Sequence, residues 1–184
     1  MHHLRSHVTG KLTLPDTAAD TQASSRCPHT WQAMTDSNFP ILAEYDRTIY
    51  LTDRSKLLRV FLNHPPARQT LMAVTNDNRC VGYVCVRQTD DNKIKLRPFV
   101  ADDVAIADLL LTTAINMKEL EGKTAAVDVP DVNSATGRAL FAKYGVNQPG
   151  AIVTRMCTKP DVAHHMTVPL SKIYSAFFGN LLCY

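Results

Sequence analysis

One acidic residue, Asp128, lies within the apolar run TAAVDVP, between Val127 and Val129. A short apolar run of this kind is typical of a buried strand. A carboxylate on such a strand that faces a cleft can accept a proton from a reacting group, and so act as a general base. The same carboxylate can instead satisfy a loop amide at the strand end. Asp128 is therefore a candidate catalytic residue, with both interpretations open.

A second candidate is the segment LRPFVADDVAIADLLL, where a strand-like run leads directly into a helical one. The first amides of a helix have no partner within it, and with the helix dipole they favour a phosphate group. The backbone amides from Asp103 to Ile106 would bind that anion. The carboxylates of Asp102 and Asp103 oppose such binding, and one of them can instead cap a core helix. Both interpretations fit the segment.

A third candidate is a basic strand face, formed by Lys93, Lys95 and Arg97 together with Arg87. Four positive charges on a strand pair can contact phosphates, although such a face is more often simply solvated. No aromatic side chains interleave with these charges to stack on bases. We therefore do not expect a nucleic acid as the main partner.

The composition indicates one globular domain. The chain has 184 residues and a net charge of +3, which predicts neither a nucleic acid nor a membrane as partner. Five cysteines without a CxxC pair favour buried thiols in a reducing compartment. Adjacent histidines at 2–3 and 164–165 lack a third ligand at a defined spacing, so no metal is expected. With no membrane-spanning run and no secretory signal, we expect an intracellular, cytoplasmic protein, with mitochondrial import left open.

The periodicity of apolar residues predicts a mixed α/β fold. Two leading helices, FPILAEYDRTIY and DRSKLLRVFLNH, precede three strands in an antiparallel meander, TLMAVTN, CVGYVCVR and KIKLRPFV. The last meander strand begins a βαβαβ order, which continues with the helix from Val104 to Leu120, the strand TAAVDVP, the helix NSATGRALFAKYG and the strand AIVTRMCT. Asn133 and Gly145 are the expected N-cap and C′ residues of the second of these helices.

The two ends of the chain carry weaker signals. Residues 1–30 show no sustained period and predict a flexible N-terminal tail, in which KLTL can add an edge strand. Residues 31–184 are predicted to form the single domain. Its C-terminal segment, from about residue 168, contains the apolar LSKIYSAFFGNLLCY, which can dock as a helix or as a strand.

Several strings, in this order, resemble the GNAT superfamily of N-acetyltransferases, and in particular its YitH-like branch. They are YDRTIYLTDRSKLL, CVGYVCVR, LRPFVADDVAIADLLL, DVPDVNSATGRALFAKYG and VTRM, and they extend over about two thirds of the chain, from Asn38 to Met156. The resemblance implies the GNAT-like acyl-CoA N-acyltransferase fold. It also implies acetyl-CoA, or coenzyme A, as the cofactor that supplies the acyl group to an amine acceptor, which is a small molecule or a peptide.

The resemblance also implies site residues. Those expected to bind the cofactor are Leu96, Phe99, Val100, Asp103, Val104, Ala105, Ile106, Asn133 and Phe141. The acceptor pocket of this fold is walled by the two leading helices, where Tyr45, Asp46 and Arg54 stand. Asp128 is the candidate base, and Tyr144 a candidate acid, one helical turn beyond the family's tyrosine position.

The chain departs from the family pattern at two places. The turn before the long helix lacks the usual arginine and small residues, because Ala101, Val104 and Ile106 stand there. Phe141 stands where the family has a tyrosine and has no proton to donate to the thiolate. We therefore predict an N-acyltransferase working by direct amine attack on the thioester. The alternatives are a catalytically impaired GNAT-fold binding or regulatory module and, less favoured, an RNA-contacting domain. The acceptor and the oligomeric state are not determined by the sequence.

Overall fold

A computed structural model describes residues 3–14, 28–63, 68–89, 93–117, 120, 122–130, 134–155 and 169–175. Within these residues the chain forms eight strands and four α-helices. The strands are β1 (His3–Lys11), β2 (Thr30–Ala33), β3 (Arg68–Val74), β4 (Cys80–Gln88), β5 (Ile94–Ala101), β6 (Thr124–Pro130), β7 (Gln148–Arg155) and β8 (Ile173–Ser175). The helices are α1 (Phe39–Tyr50), α2 (Ser55–Asn63), α3 (Val104–Asn116) and α4 (Ser134–Lys143).

The strands form one mixed sheet in the order β2-β3-β4-β5-β6-β1-β7, with β8 paired to β5 off this path. Strands β2 to β5 are an antiparallel meander, and β5 pairs with β6 in parallel. The predicted mixed α/β architecture, with two leading helices, a meander and then alternating strands and helices, is confirmed. Strands β6 and β7 are not neighbours, however, because β1 lies between them and is antiparallel to both.

The two faces of the sheet are covered by different helices. Alternate residues of a strand point to opposite faces, and those of β3 and β4 divide accordingly between two apolar cores. One core joins Met72 and Tyr83 to Leu42 of α1 and Leu58 of α2. The other joins the opposite face to α3 and α4, with Leu110 and Phe141 among its members. The helical spacing seen in the sequence thus corresponds to faces buried on either side of the sheet.

The predicted tail is wrong in its first part. Residues 3–11 form β1, which lies in the interior of the sheet with a partner on each side. Among residues 7–12, whose side chains the structure describes, the buried apolar ones are Val8 and Leu12, too few to indicate a strand from the sequence. Main-chain pairing on both edges holds it in place instead. The KLTL prediction also fails as an edge strand, since Lys11 ends an internal one.

Strand β1 packs closely against the turn that follows α4. Gly10 lies against the carbonyl oxygen of Gly145, where a Cβ atom would collide with main-chain atoms. Gly145 follows α4 and has a φ of +81°, a left-handed conformation that glycine adopts without strain. This confirms the predicted glycine at the end of α4; its predicted N-cap, Asn133, lies outside the described residues.

Local interactions also explain where α3 begins. The side chain of Asp103 caps α3 by accepting a hydrogen bond from the Ile106 amide at 2.9 Å. Cys80 and Cys85 are buried thiols, and burial raises the pKa of the Cys80 thiol to about 12. The other three cysteines lie outside the described residues. No helix described here is long and apolar enough to cross a membrane.

Candidate active site

The parallel strands β5 and β6 separate soon after they meet. They pair only at Ile94 with Ala125 and at Lys95 with Ala126. Beyond Lys95, the two strands leave a notch between them, which opens toward the start of α3. A notch between two diverging parallel strands exposes main-chain groups that need another partner.

Strand β8 occupies this notch. It pairs in antiparallel with β5, placing Ser175 opposite Phe99 and Ile173 opposite Val100. On the other side, the backbone amide of Asp128 on β6 donates to Ser175 Oγ at 3.1 Å. The described part of the C-terminal segment therefore docks through a strand, Ile173–Ser175, one of the two forms that the sequence leaves open.

The side chains of β8 pack into both cores. Ile173 joins the core under α1 and α2, whereas Tyr174 joins the core under α3 and α4. The ring centroid of Tyr174 lies 5.6 Å from that of Phe99. Burial, with the nearby charge of Asp103, raises the pKa of the Tyr174 phenol to about 12. The notch is thus filled with apolar and hydrogen-bonded groups of the chain itself.

The corner where β5 leads into α3 carries two carboxylates with different partners. Asp103 caps the helix, so the amide of Ile106, one of those expected to bind phosphate, is already hydrogen-bonded. Asp102 accepts hydrogen bonds from Tyr45 Oη at 3.0 Å and Lys172 Nζ at 2.9 Å. Asp103 is thus the helix cap, as the alternative interpretation of this segment predicts.

Most residues expected to bind the cofactor are core residues. Leu96, Phe99, Val100, Ile106 and Phe141 are all nearly or wholly buried. Phe99 and Phe141 make an edge-to-face contact with centroids 5.9 Å apart. At the corner itself, Val104 and Ala105 are exposed. Asn133, as stated, is not described.

A polar trio lies beside the notch. Asp128 Oδ2 accepts a hydrogen bond from the guanidinium of Arg97 at 2.7 Å, and Asp128 Oδ1 lies 2.9 Å from His7 Nδ1. His7, on β1, is opposite Asp128 in the strand register. The three side chains are only partly buried. The partners found for the Asp128 carboxylate are thus two side chains rather than the loop amide of the second interpretation, and its role as a base stays a prediction.

The residues predicted for the acceptor pocket fall into two environments. Asp46 and Arg54 form a buried bidentate ion pair, with distances of 2.6 and 3.0 Å, and Tyr83 Oη donates to Asp46 at 2.6 Å. Asp46 and Arg54 therefore bind each other in a salt bridge that is buried rather than exposed at the helix surface. Tyr45 instead contacts Asp102 at the corner, and burial, together with Asp102, raises the pKa of its phenol.

A cavity of about 590 Å³ lies beside this corner. Polar groups at its wall include Glu44, Thr48, Arg79, Asp102 and Lys172. Of the predicted acceptor-pocket residues, Tyr45 lines it.

Tyr144, the candidate acid, is placed between α3 and the end of α4. Its hydroxyl lies 2.6 Å from Thr112 Oγ1 and donates to Asp108 at 2.7 Å. The side chain is 1% exposed and belongs to the core under α3 and α4. The structure does not bring this hydroxyl together with Asp128 and its partners.

Sequence reasoning missed His7, Lys172 and the residues of β8 as parts of the site. His7 lies in the segment read as a tail, and its partner Asp128 is 121 residues away. Lys172 is 70 residues from Asp102. The one available signal was the apolar string around Ile173 and Tyr174, which predicted docking but not its place.

Comparison with known proteins identifies the family. Residues 42–168 match the model of the "Acetyltransferase (GNAT) domain" family. No curated protein matches the chain.

Two solved structures share the fold. One is a conserved protein of unknown function from Staphylococcus epidermidis, with a TM-score of 0.54 and 12% identity over 84% of this chain and 60% of that one. The other, from Enterococcus faecalis, is described as a probable N-acyltransferase; its TM-score is 0.51, with 10% identity over 84% of this chain and 40% of that one. The chain thus spans 60% and 40% of the lengths of these two proteins. Since the family model covers more than half of the sequence, this chain belongs to the family of GNAT acetyltransferase domains.

Proposed function

We propose that the chain is an acyl-CoA-dependent N-acyltransferase, which transfers an acetyl group from acetyl-CoA to an amine by direct attack on the thioester. Family membership supports the reaction class. The observation that carries the proposal is the early separation of β5 and β6 after Lys95 and Ala126, since it makes a notch between parallel strands in the middle of the sheet. Within the family, the strings quoted above favour the YitH-like branch.

The arrangement described here does not accommodate coenzyme A. Strand β8 fills the notch, and the Asp103 side chain already accepts the hydrogen bond that the Ile106 amide would give to a phosphate. Asp102 and Asp103 place two carboxylates where a diphosphate would lie, and each opposes an anion by roughly 1 kcal/mol at ~4 Å in a water-like medium. Lys172, the cation that pairs with Asp102, is brought to the corner by the segment that closes the notch.

The proposed reaction needs a group that takes a proton from the attacking amine. An amine that attacks a thioester must lose a proton, and a base needs a lone pair directed at it. If His7 donates its Nδ1 proton to Asp128, its Nε2 carries that lone pair, and Asp128 holds the ring in this tautomer. We propose His7 as the base and Asp128 as its positioning residue, with the hydrogen bond from Arg97 keeping the carboxylate in place.

The experiment measures binding and turnover together. Calorimetry with acetyl-CoA and with coenzyme A at millimolar concentration tests the donor, and a thiol-release assay with a panel of amines tests the transfer. We expect release that depends on the amine and falls at least ~100-fold in His7→Gln, which keeps a hydrogen-bond donor but has no basic nitrogen. Absence of both binding and release, in the wild type and in the opened variants described below, would refute the proposed function.

A second candidate is a GNAT-fold module that binds or regulates without transferring an acyl group. The specific observation in its favour is that the notch is closed by the chain itself, with Phe141 and Phe99 in contact at its back. This candidate predicts that Phe141→Tyr leaves thiol release at background. Turnover of acetyl-CoA that responds to Phe141→Tyr would exclude it.

A further inference from the structure

We infer that residues 170–175, named here the strap, are an autoinhibitory segment that competes with the acyl donor for the notch and must leave before the donor binds. The strap consists of a single 3-10 turn, Leu170–Lys172, and strand β8. The inference rests on the proposed function, because it assumes that the notch is the donor slot.

The strap and the arm of coenzyme A would pair with the same main-chain groups, so they exclude each other. Once β6 diverges, the edge of β5 at Phe99 and Val100 takes its partner from the strap. The arm of coenzyme A is an extended chain with two amide groups, so it needs the same kind of edge. One edge cannot pair with both at the same place. The strap therefore excludes the donor by occupation of this edge rather than by acting at a distance.

The strap is held by contacts of unequal strength. Ile173, Tyr174 and Ser175 are buried, and they supply its packing and the hydrogen bond from the Asp128 amide. Lys172 makes an ion pair with Asp102 in which the two side chains are 37% and 35% exposed. A pair so exposed stabilises the strap only weakly.

The strap is also short. Its strand has three residues, compared with seven to nine in β3, β4 and β6. Segments with few main-chain bonds open locally at a lower free energy than the core does. Removal of the strap leaves the other strand pairs of the sheet intact, because β8 lies off the path of the main sheet. The structure thus has a part that can open while the rest stays folded.

The test compares coenzyme A binding in variants that loosen the strap. Tyr174→Ala removes the ring that packs on Phe99, and Lys172→Glu replaces the ion pair with repulsion from Asp102. If a closed strap reduces the apparent affinity by the fraction of open molecules, we expect binding to tighten by about tenfold or more in Tyr174→Ala. In Lys172→Glu we expect a tightening of about two- to fivefold. Lys56→Glu is the matched control, since it makes the same charge change at an exposed position on α2.

A reversible disulfide between the strap and β5 provides the converse test. Because its two states are compared in one sample, a folding defect cannot explain the difference. Val100 and Ile173 lie directly opposite each other in the antiparallel pair. The Cα separation of such pairs, about 4.5–5.5 Å, suits a disulfide. In the double variant Val100→Cys/Ile173→Cys, we expect no coenzyme A binding when oxidised. Reduction should restore binding in the same sample, and hydrogen exchange of residues 173–175 should quicken when coenzyme A is added.

The outcomes separate the two proposals. Equal binding by the wild type, the loosened variants and the oxidised double variant would overturn the strap inference and leave the proposed function standing. Binding by none of them would refute the proposed function, and the strap would then be an ordinary structural strand. Tighter binding in the loosened variants and loss in the oxidised one would support both.

Discussion

Each oxygen of the Asp128 carboxylate has its own cationic or ring-nitrogen partner. Oδ2 accepts a hydrogen bond from the Arg97 guanidinium, and Oδ1 lies within hydrogen-bond distance of the His7 ring. All three side chains come from adjacent strands, so a change at Asp128 affects β5, β6 and β1 together. The carboxylate thus ties three strands together at the edge of the notch, whatever its role in proton transfer.

We expect Asp128→Asn to lower the free energy of unfolding by about 1–2 kcal/mol, because the Arg97 guanidinium loses its anionic partner and the amide keeps one acceptor oxygen in place of two. Urea unfolding followed by circular dichroism measures this. Asp36→Asn is the control, since its ion pair with Arg59 is largely exposed and the expected effect is below about 0.5 kcal/mol. Equal effects in the two variants would contradict the structural role given to the trio.

The buried pair of Asp46 and Arg54 supports a further prediction. Arg54 also lies over the ring of Tyr50, 3.4 Å from its centroid. Because Arg54→Ala would leave the Asp46 carboxylate buried without its cation, we expect a loss of about 3–5 kcal/mol of stability. Replacing the pair with apolar residues of similar size, and removing the Tyr83 hydroxyl that donates to Asp46, should cost much less: the variant is Asp46→Leu/Arg54→Met/Tyr83→Phe. A triple variant that is as unstable as Arg54→Ala would show that the cost does not come from an uncompensated charge.

At the scale of elements, β1 depends on the contact between two glycines. In Gly10→Ala the new Cβ would meet the carbonyl of Gly145 and the backbone of Val146, both main-chain groups that cannot rotate away. We expect destabilisation of at least about 2–3 kcal/mol, measured by chemical unfolding. Thr9→Ala, on the same strand but half-buried, serves as the control and should change stability by less than about 1 kcal/mol. If Gly10→Ala is as stable as this control, the close approach of β1 to the turn after α4 is wrong.

The elements were predictable to the extent that each carries its own pattern. Leu42, Tyr45 and Ile49 repeat at helical spacing and form a buried face of α1, and the bounds of that helix agree with its string. Strand β1 was missed in the sequence, because what identifies it is main-chain pairing with distant strands on both edges and a close glycine contact, neither of which a local pattern records. The site was less predictable for the same reason: Asp103 as a cap is local information, whereas the pairing of His7 with Asp128 depends on topology.

For the whole molecule, buried phenols and a thiol predict a loss of stability in alkaline solution. Burial raises the pKa of Tyr174 from 10.0 to about 12 and that of Cys80 from 9.0 to about 12, and it also raises those of Tyr45 and Tyr83. These groups are neutral in the folded protein, so their contribution is complete below their unfolded pKa values. It is lost progressively as the pH rises through 9 to 12.

We therefore expect the urea midpoint to fall steadily above about pH 9, and to fall less steeply in Tyr174→Phe, which has no phenol to ionise. Repeating the titration with Tyr184→Phe, outside the described residues, separates the effect of Tyr174 from that of removing any tyrosine. Identical slopes for all three proteins would contradict the burial of Tyr174 beside Phe99.

The position of β1 also has a kinetic consequence. Its partners are more than a hundred residues further along the chain, as the 121-residue separation of His7 and Asp128 illustrates. Pairings so distant raise the contact order, and folding rates fall as contact order rises. The half of the sheet around β6 and β7 cannot be completed until both of those strands exist and a remote segment has found the gap between them. Until then, the facing edges of β6 and β7 are unpaired and open to association with other chains, so refolding yield should depend on protein concentration.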